Sequence, residues 1–179
     1  MRPVGPREAR QPEPLDPVDA QHWTQVEDAV ELIRDEQPFE AIVALRGVAK
    51  ASPRNPYAFH FLGVALFEAG ELEASRDAYR AALSLSPRYL GARVHLSHVL
   101  RMLGDARGAL EQAETARRQV PDDSDVWHAL GMAHAQRGEK AQAYHWLRAY
   151  LSSSPELEVA AEVEAVLAQL GPLRNDDED

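Results

Sequence analysis

The sequence predicts an all-α chain: a solenoid of stacked helix-turn-helix repeats, closed by one further helix. Three observations carry this. Pro53, Pro87, Pro121 and Pro155 each follow an apolar helical stretch and lie 34 residues apart. Gly70, Gly104 and Gly138 fall between them at the same 34-residue spacing. Between these breaks the apolar residues recur at i, i+3, i+4 and i+7, the pattern of one buried helix face. Self-similarity at a fixed period of about 20–50 residues is the signature of a repeat architecture.

Composition narrows the function classes. Apolar residues make up 45% of the 179 and charged residues 27%, which predicts a globular chain. There is no cysteine, so disulfides, thiol catalysis and zinc thiolate sites are excluded. The formal net charge is −10, and Asp176, Asp177, Glu178 and Asp179 supply four of those charges. An acidic chain without a basic block argues against nucleic acid and anionic membranes as partners. No apolar run reaches about 18 residues, so no membrane insertion is expected. The N-terminal stretch has arginines but no apolar core behind them, unlike a secretory signal, and the expected location is cytoplasmic.

Taken in order, residues 1–18 contain Pro3, Pro6, Pro12, Pro14 and Pro17 and are expected to be a disordered lead-in. The spacing Pro3-x-x-Pro6 fits a proline-rich ligand only formally. From Asp19 the period becomes helical, with Val26, Ala29, Val30 and Ile33 on one face. Gln37-Pro38 breaks the helix, and a second stripe of Phe39, Ile42, Leu45 and Val48 runs towards Pro53. Strict counting back from Pro53 would bury Asp28 and place Val26 towards a groove, which costs buried charge. A turn one residue short at Gln37-Pro38-Phe39 would turn Val26, Ala29, Val30 and Ile33 inward and Glu27, Asp28, Glu31 and Arg34 outward. That is the register expected.

The next pairs are Tyr57 to Ala69 with Leu72 to Leu85, Leu90 to Leu103 with Ala106 to Val120, and Ser124 to Arg137 with Lys140 to Ser153. The glycine between the members of each pair suits a left-handed C-cap. Proline ends each second helix. A last helix over 156–170 is stopped by Gly171-Pro172. Its Val159, Val163, Val166, Leu167 and Leu170 would cover the final exposed face, with Glu156, Glu158, Glu162 and Glu164 in water. The domain is thus expected over 19–171, with repeats at about 22–55, 56–89, 90–123 and 124–155, followed by an acidic disordered tail over 172–179.

These units resemble the tetratricopeptide repeat family, whose 34-residue unit reads W-x-x-L-G-x-x-Y, then A-x-x-x-F, then P. The fourth unit has Trp127, Leu130, Gly131 and His134, then Ala143 and Leu147, then Pro155. The second has Phe59, Leu62, Gly63 and Leu66, then Ser75, Tyr79 and Ala82, then Pro87. The third has Arg93, Leu96, Ser97 and Leu100, then Ala109, Ala113 and Ala116, then Pro121. The resemblance covers about residues 22 to 170 and implies a right-handed superhelix. Small residues at Gly63, Gly131, Ala109 and Ala143 let helix backbones approach, while Phe59, Leu62, Leu66 and Tyr79 fill the space between pairs. No pair buries its own apolar face, so stacking makes the core.

The resemblance also implies a site. In that family the second, fifth, sixth, ninth and twelfth positions of each first helix line the concave side. The second unit then presents Tyr57, His60, Phe61, Val64 and Phe67. The third presents Gly91, Val94, His95, His98 and Arg101, and the fourth Asp125, His128, Ala129, Met132 and Ala135. The groove would be acidic in the first unit, aromatic in the second, and mixed with histidine and arginine later. The expected partner-binding residues are Tyr57, His60, Phe61, Val64, Phe67, Val94, His95, His98, Arg101, His128 and Met132. His134, in the tyrosine position, reads as a packing residue, and His22 and His145 as solvated or end positions. Chaperone-docking members grip a terminal carboxylate with Lys, Asn and Arg. The corresponding places hold His60, Val64, His95, Asp125 and Ala129, or one register earlier Glu27, Glu31, Phe61, Gly91 and His95. Neither set makes a cationic clamp, so peptides ending in Glu-Glu-Val-Asp are expected not to bind.

No nucleophile elbow, phosphate loop or H-E-x-x-H motif is present, so no enzyme activity, catalytic residue or cofactor is expected. His95 and His98, at i and i+3, have a metal-compatible spacing but no obvious further ligand, so no metal site is expected. Histidine titrates near neutrality, so a pH-dependent partner switch is a further reading of the groove. The leading expectation is a non-enzymatic adaptor or scaffold that holds a peptide or helix of another protein in the concave groove. The alternatives are a dedicated bacterial secretion-type chaperone for a single client, or an accessory subunit of a larger complex using its convex side or tail. Homo-oligomerisation is compatible with all three.

Overall fold

The computed structural model describes residues 17–172, and every regular element in that span is an α-helix. In order these are α1 (Pro17–Thr24), α2 (Glu27–Arg34), α3 (Pro38–Ala51), α4 (Pro56–Glu68), α5 (Leu72–Leu85), α6 (Leu90–Met102), α7 (Ala106–Gln119), α8 (Ser124–Gln136), α9 (Lys140–Ser152) and α10 (Leu157–Leu170). The expectations for residues 1–16 and 173–179 lie outside this span. Proline does not keep Pro17 out of a helix: it is the first residue of α1, where its missing N–H would have no intrahelical partner.

Helices pack as consecutive pairs, α2 on α3, α4 on α5, α6 on α7 and α8 on α9, and each pair packs on the next. Four apolar clusters follow one another along the stack. They centre on Leu45 and Leu66, then Tyr79 and Leu96, then Val126 and Leu130, and finally Leu147 and Val163. The first helices of successive pairs also touch one another directly: α2 meets α4, α4 meets α6 and α6 meets α8. The second helices make fewer such contacts, so the first helices form the inner, concave layer.

The small residues act where a helix pair closes. A Cβ built on Gly63 would lie 2.6 Å from the Tyr79 ring, and one on Gly131 would lie 2.5 Å from the Leu147 side chain. In the third unit Ser97 takes that position and its hydroxyl donates to Ala109 O at 2.8 Å. In the second unit the serine is on the other helix, and Ser75 Oγ donates to Gly63 O at 2.7 Å. In these two units the inter-helix contact keeps one satisfied hydroxyl, whichever helix supplies it.

Each pair turns through the same cap. Gly70, Gly104 and Gly138 have φ of +79°, +84° and +74°. At the first of these, Glu71 N–H donates to Leu66 O and Gly70 N–H to Phe67 O, a Schellman arrangement. The first unit makes the same turn with a non-glycine residue: Glu36 has φ of +57°, Glu36 N–H donates to Ile33 O and Gln37 N–H to Leu32 O. This corrects the short-turn expectation. Glu36 is in phase with Gly70, and α3 begins in phase with α5, so the turn has full length. The predicted faces are nevertheless right: Val26, Ala29 and Val30 are buried, and Glu27, Asp28, Glu31 and Arg34 are exposed. Asp28 occupies the position of Leu96 and Leu130, but no unit among the described residues stacks outside it, and its side chain is exposed. Val26 is buried because its position belongs to the seam between first helices.

The first unit holds a second departure. The helical run expected from Asp19 to Gln37 breaks at Gln25-Val26, giving α1 and α2. Asn55 ties α1 down. Its Oδ1 accepts from Tyr57 N–H and Ala58 N–H, capping α4, while its Nδ2 donates to His22 O at 2.8 Å and Gln25 Oε1 at 3.1 Å. At the other end Val163 and Leu167 of α10 are buried, and Glu156, Glu158, Glu162 and Glu164 are exposed. Tyr144 OH donates to Leu167 O and Gly171 O, fixing the end of α10 against α9.

Candidate partner-binding groove

The concave layer carries an aromatic and histidine ladder running from α1 to α9. Trp23 meets the edges of Tyr57 and Phe61, each with ring centroids 5.7 Å away. Tyr57 meets Tyr89 at 5.7 Å, and His60 lies 4.5 Å from Tyr89. His60 and His95 stack at 5.3 Å, His98 lies 5.1 Å from His128, and His128 stacks on Tyr150 at 4.7 Å. The pairs among Trp23, Tyr57, Phe61 and Tyr89 contribute about 0.5–1.5 kcal/mol each beyond the area they bury.

Burial divides the eleven sequence-predicted residues. Tyr57, His60, Val94 and Met132 are buried, which corrects the expectation that they line an open groove. The first helices approach so closely that the position shared by Val26, His60 and Val94 points into the seam between units. Met132 is taken up by the last cluster with Leu147, Tyr150 and Val163. Phe61, Val64, His95, His98, Arg101 and His128 are half-buried. Phe67 remains exposed at 37%. Phe61 is shared between the groove and Trp23.

The ladder histidines are neutral groups in a dry setting. Burial pushes the His95 pKa down to about 4. His128 is also pushed down to about 4, by burial and then by the Arg101 cation. Burial holds His60 well below its ordinary value, with His95 adding to the effect. His98 is likewise held well below it by burial, then by His128, His95 and Arg101. The lowered pKa values favour the neutral rings near neutral pH. Among the described residues, His60 Nδ1, His95 Nδ1 and His128 Nε2 are buried without a hydrogen-bond partner. Among the described residues no group of three or more His, Asp or Glu is placed to hold a metal ion. His134 is buried in the packing position, its Nδ1 2.6 Å from Glu139 Oε2.

Sequence reasoning missed four groups that build this face: Trp23, Tyr89, Tyr150 and Asn55. Trp23 was detectable, since it lies one period before Tyr57. Asn55 before Pro56 is a helix-start signal in its own right. Tyr89 and Tyr150 lie outside the first helices, where the repeat pattern assigns no groove position.

Comparison with known proteins agrees with the fold. Two tetratricopeptide repeat family models match, one over residues 28–89 and the other over residues 67–131. The chain belongs to the tetratricopeptide repeat family. No curated protein sequence matches it. Among solved structures, MamA is 23% identical with a TM-score of 0.67, covering 79% of this chain and 81% of that one. A thermophilic tetratricopeptide protein of Thermus thermophilus is 22% identical with a TM-score of 0.67, covering 83% of this chain and 80% of that one. A tetratricopeptide repeat protein from Parabacteroides merdae is 15% identical with a TM-score of 0.71, covering 88% of this chain and 61% of that one. At these identities the likeness is one of fold. Tetratricopeptide domains bind other proteins, and the family places this chain among interaction scaffolds in that general sense. No helix among the described residues is long and apolar enough to cross a membrane.

Proposed function

We propose that this tetratricopeptide chain is a non-enzymatic scaffold that holds a helical or extended segment of a partner protein in its concave groove. Phe61, Val64 and Phe67 would supply the apolar contact, and His98, Arg101 and His128 the polar side. The observation that carries the reading is Phe67. It is a large aromatic residue at a first-helix position, 37% exposed, while the other large apolar residues of the same helix are buried or half-buried. An apolar groove of this kind suits an amphipathic helix or an extended segment with spaced apolar anchors. Co-purification from the native source tests it. Phe67→Ala should lose the partner while leaving the unfolding midpoint nearly unchanged. Undiminished capture by Phe67→Ala contradicts the groove.

A second reading, an accessory subunit that docks by its outer side, is favoured by α3. Phe39 is 65% exposed and Val43 72% exposed on that helix. The positions in phase with them are Glu73 and Asp77, Arg107 and Glu111, and Ala141 and His145, none of them a large apolar residue. Phe39→Ser with Val43→Ser should abolish assembly under this reading and leave it intact under the first.

A further inference from the structure

Helix α1 stands outside the repeat pattern. The paired helices begin with α2, and α1 precedes them across the break at Gln25-Val26. It packs on α4, where its ring contacts fall on two concave-side positions of the second unit. The Trp23 ring meets Tyr57 at an interplanar angle of 88° and Phe61 at 67°, both edge-on. Asp19 lies one turn before Trp23, on the same helix face. Burial raises the Tyr57 pKa, and the nearby Asp19 carboxylate raises it further. Tyr57 is 8% exposed although it holds a concave position, and Trp23 is one of two aromatic rings, with Tyr89, that pack on it.

The attachment is slight. Over 19–24 every side chain of α1 is exposed or half-buried, and Trp23 is the large apolar side chain of that stretch. By contrast α10, at the other end of the stack, buries Val163 and Leu167. Isolated helices shorter than about 12–15 residues are marginal in water, so the eight residues of α1 stay helical through docking. Asn55 holds α1 by one amide, with Nδ2 donating to His22 O and Gln25 Oε1. Oδ1 of the same amide caps α4, a contact that does not involve α1. Undocking α1 therefore keeps the α4 cap, bares the Tyr57 and Phe61 ring surfaces and frees one donor beside them. A short helix with an aromatic anchor fits that surface. We propose that α1 is a displaceable strap: Trp23 occupies the N-terminal end of the concave groove in the free chain, and an aromatic side chain on a helical segment of the partner takes its place when α1 swings out about Gln25-Val26. This rests on the concave-groove reading and adds to it the partner's anchor and the step that admits it.

Two measurements on the full chain test it. Amide hydrogen exchange in the unaltered chain should show residues 21–25 exchanging at least about 100-fold faster than α4, through an opening that low urea does not promote. Exchange of residues 21–25 only with global unfolding overturns the proposal. The second measurement uses a synthetic peptide of residues 17–26 as the probe, titrated to millimolar concentration against isotope-enriched full chain. Trp23→Ala should bind it at least about 10-fold more tightly than the unaltered chain, whose site is free only in the open fraction. The Tyr57 and Phe61 amide signals should shift, and the same peptide with alanine in place of its tryptophan should leave them unmoved. Equal binding by both chains, no binding by Trp23→Ala, or shifts confined to other residues overturns the strap. Self-association of the unaltered chain that Trp23→Ala abolishes assigns the ring to a second copy and overturns it as well. The peptide is not the native partner, so failure here leaves the Phe67→Ala capture test of the groove standing. The exchange measurement needs no substitution, so the proposal stays falsifiable should Trp23→Ala disturb the fold.

Discussion

His60 and His95 stack face to face, with ring centroids 5.3 Å apart and planes within 9°. The two rings come from α4 and α6, so the contact couples the second unit to the third at the inner seam. Both are neutral in the fold. Above pH of about 6.5 the folded and unfolded chains hold the same neutral rings, and the full stability is present. As pH falls from about 6.5 towards 4, the unfolded chain takes up protons that the folded one resists, so stability is lost. For His95, whose folded pKa is about 4, the loss reaches roughly 3 kcal/mol. Urea midpoints at about pH 7 and about pH 5 should show part of this fall, and His95→Phe should make it smaller, with His60, His98 and His128 supplying the rest. An equal fall in wild type and His95→Phe contradicts the assignment.

Two helix glycines should respond to alanine in opposite directions. A Cβ on Gly131 meets Leu147 at 2.5 Å and the Leu147 backbone nitrogen at 3.0 Å, whereas nothing among the described residues lies within 4 Å of one on Gly47. Gly131→Ala should therefore destabilise by about 1–3 kcal/mol despite better helix propensity. Gly47→Ala, inside α3, should stabilise by about 1 kcal/mol. Thermal unfolding of both variants reads the sign.

Asn55 makes one connection between α1 and the rest of the stack. Asn55→Ala removes the α4 cap and leaves the His22 carbonyl without its donor. The expected cost is about 2 kcal/mol, and hydrogen exchange in α1 should quicken more than in α8.

Glu36 holds a left-handed conformation that the other units give to glycine. Its charge also helps raise the Glu68 pKa, after burial. Glu36→Gly should stabilise by about 1 kcal/mol, seen as a rise of roughly 2–4 °C in Tm.

The periodic part of the fold was legible because Gly70, Gly104 and Gly138, with four prolines, mark where every chain reversal must fall. The first unit was legible only in part. Val26 and Asp28 declare their faces by chemistry, but a shifted register and a unit with no described unit stacked outside it predict the same faces. The site was harder. His60, Val94 and Met132 occupy inner-layer positions, yet the closeness of neighbouring first helices decides whether such a residue faces a groove or a seam. Phe67 stays open because it lies at the end of α4, beyond the ladder.

The most direct test of concave-side binding is photo-crosslinking in the native source from two positions. One benzoyl-phenylalanine replaces Phe67, and the other replaces Arg80 on the exposed side of α5. Partner crosslinks from position 67 and none from position 80 are the expected result. Crosslinks from position 80 alone would contradict it.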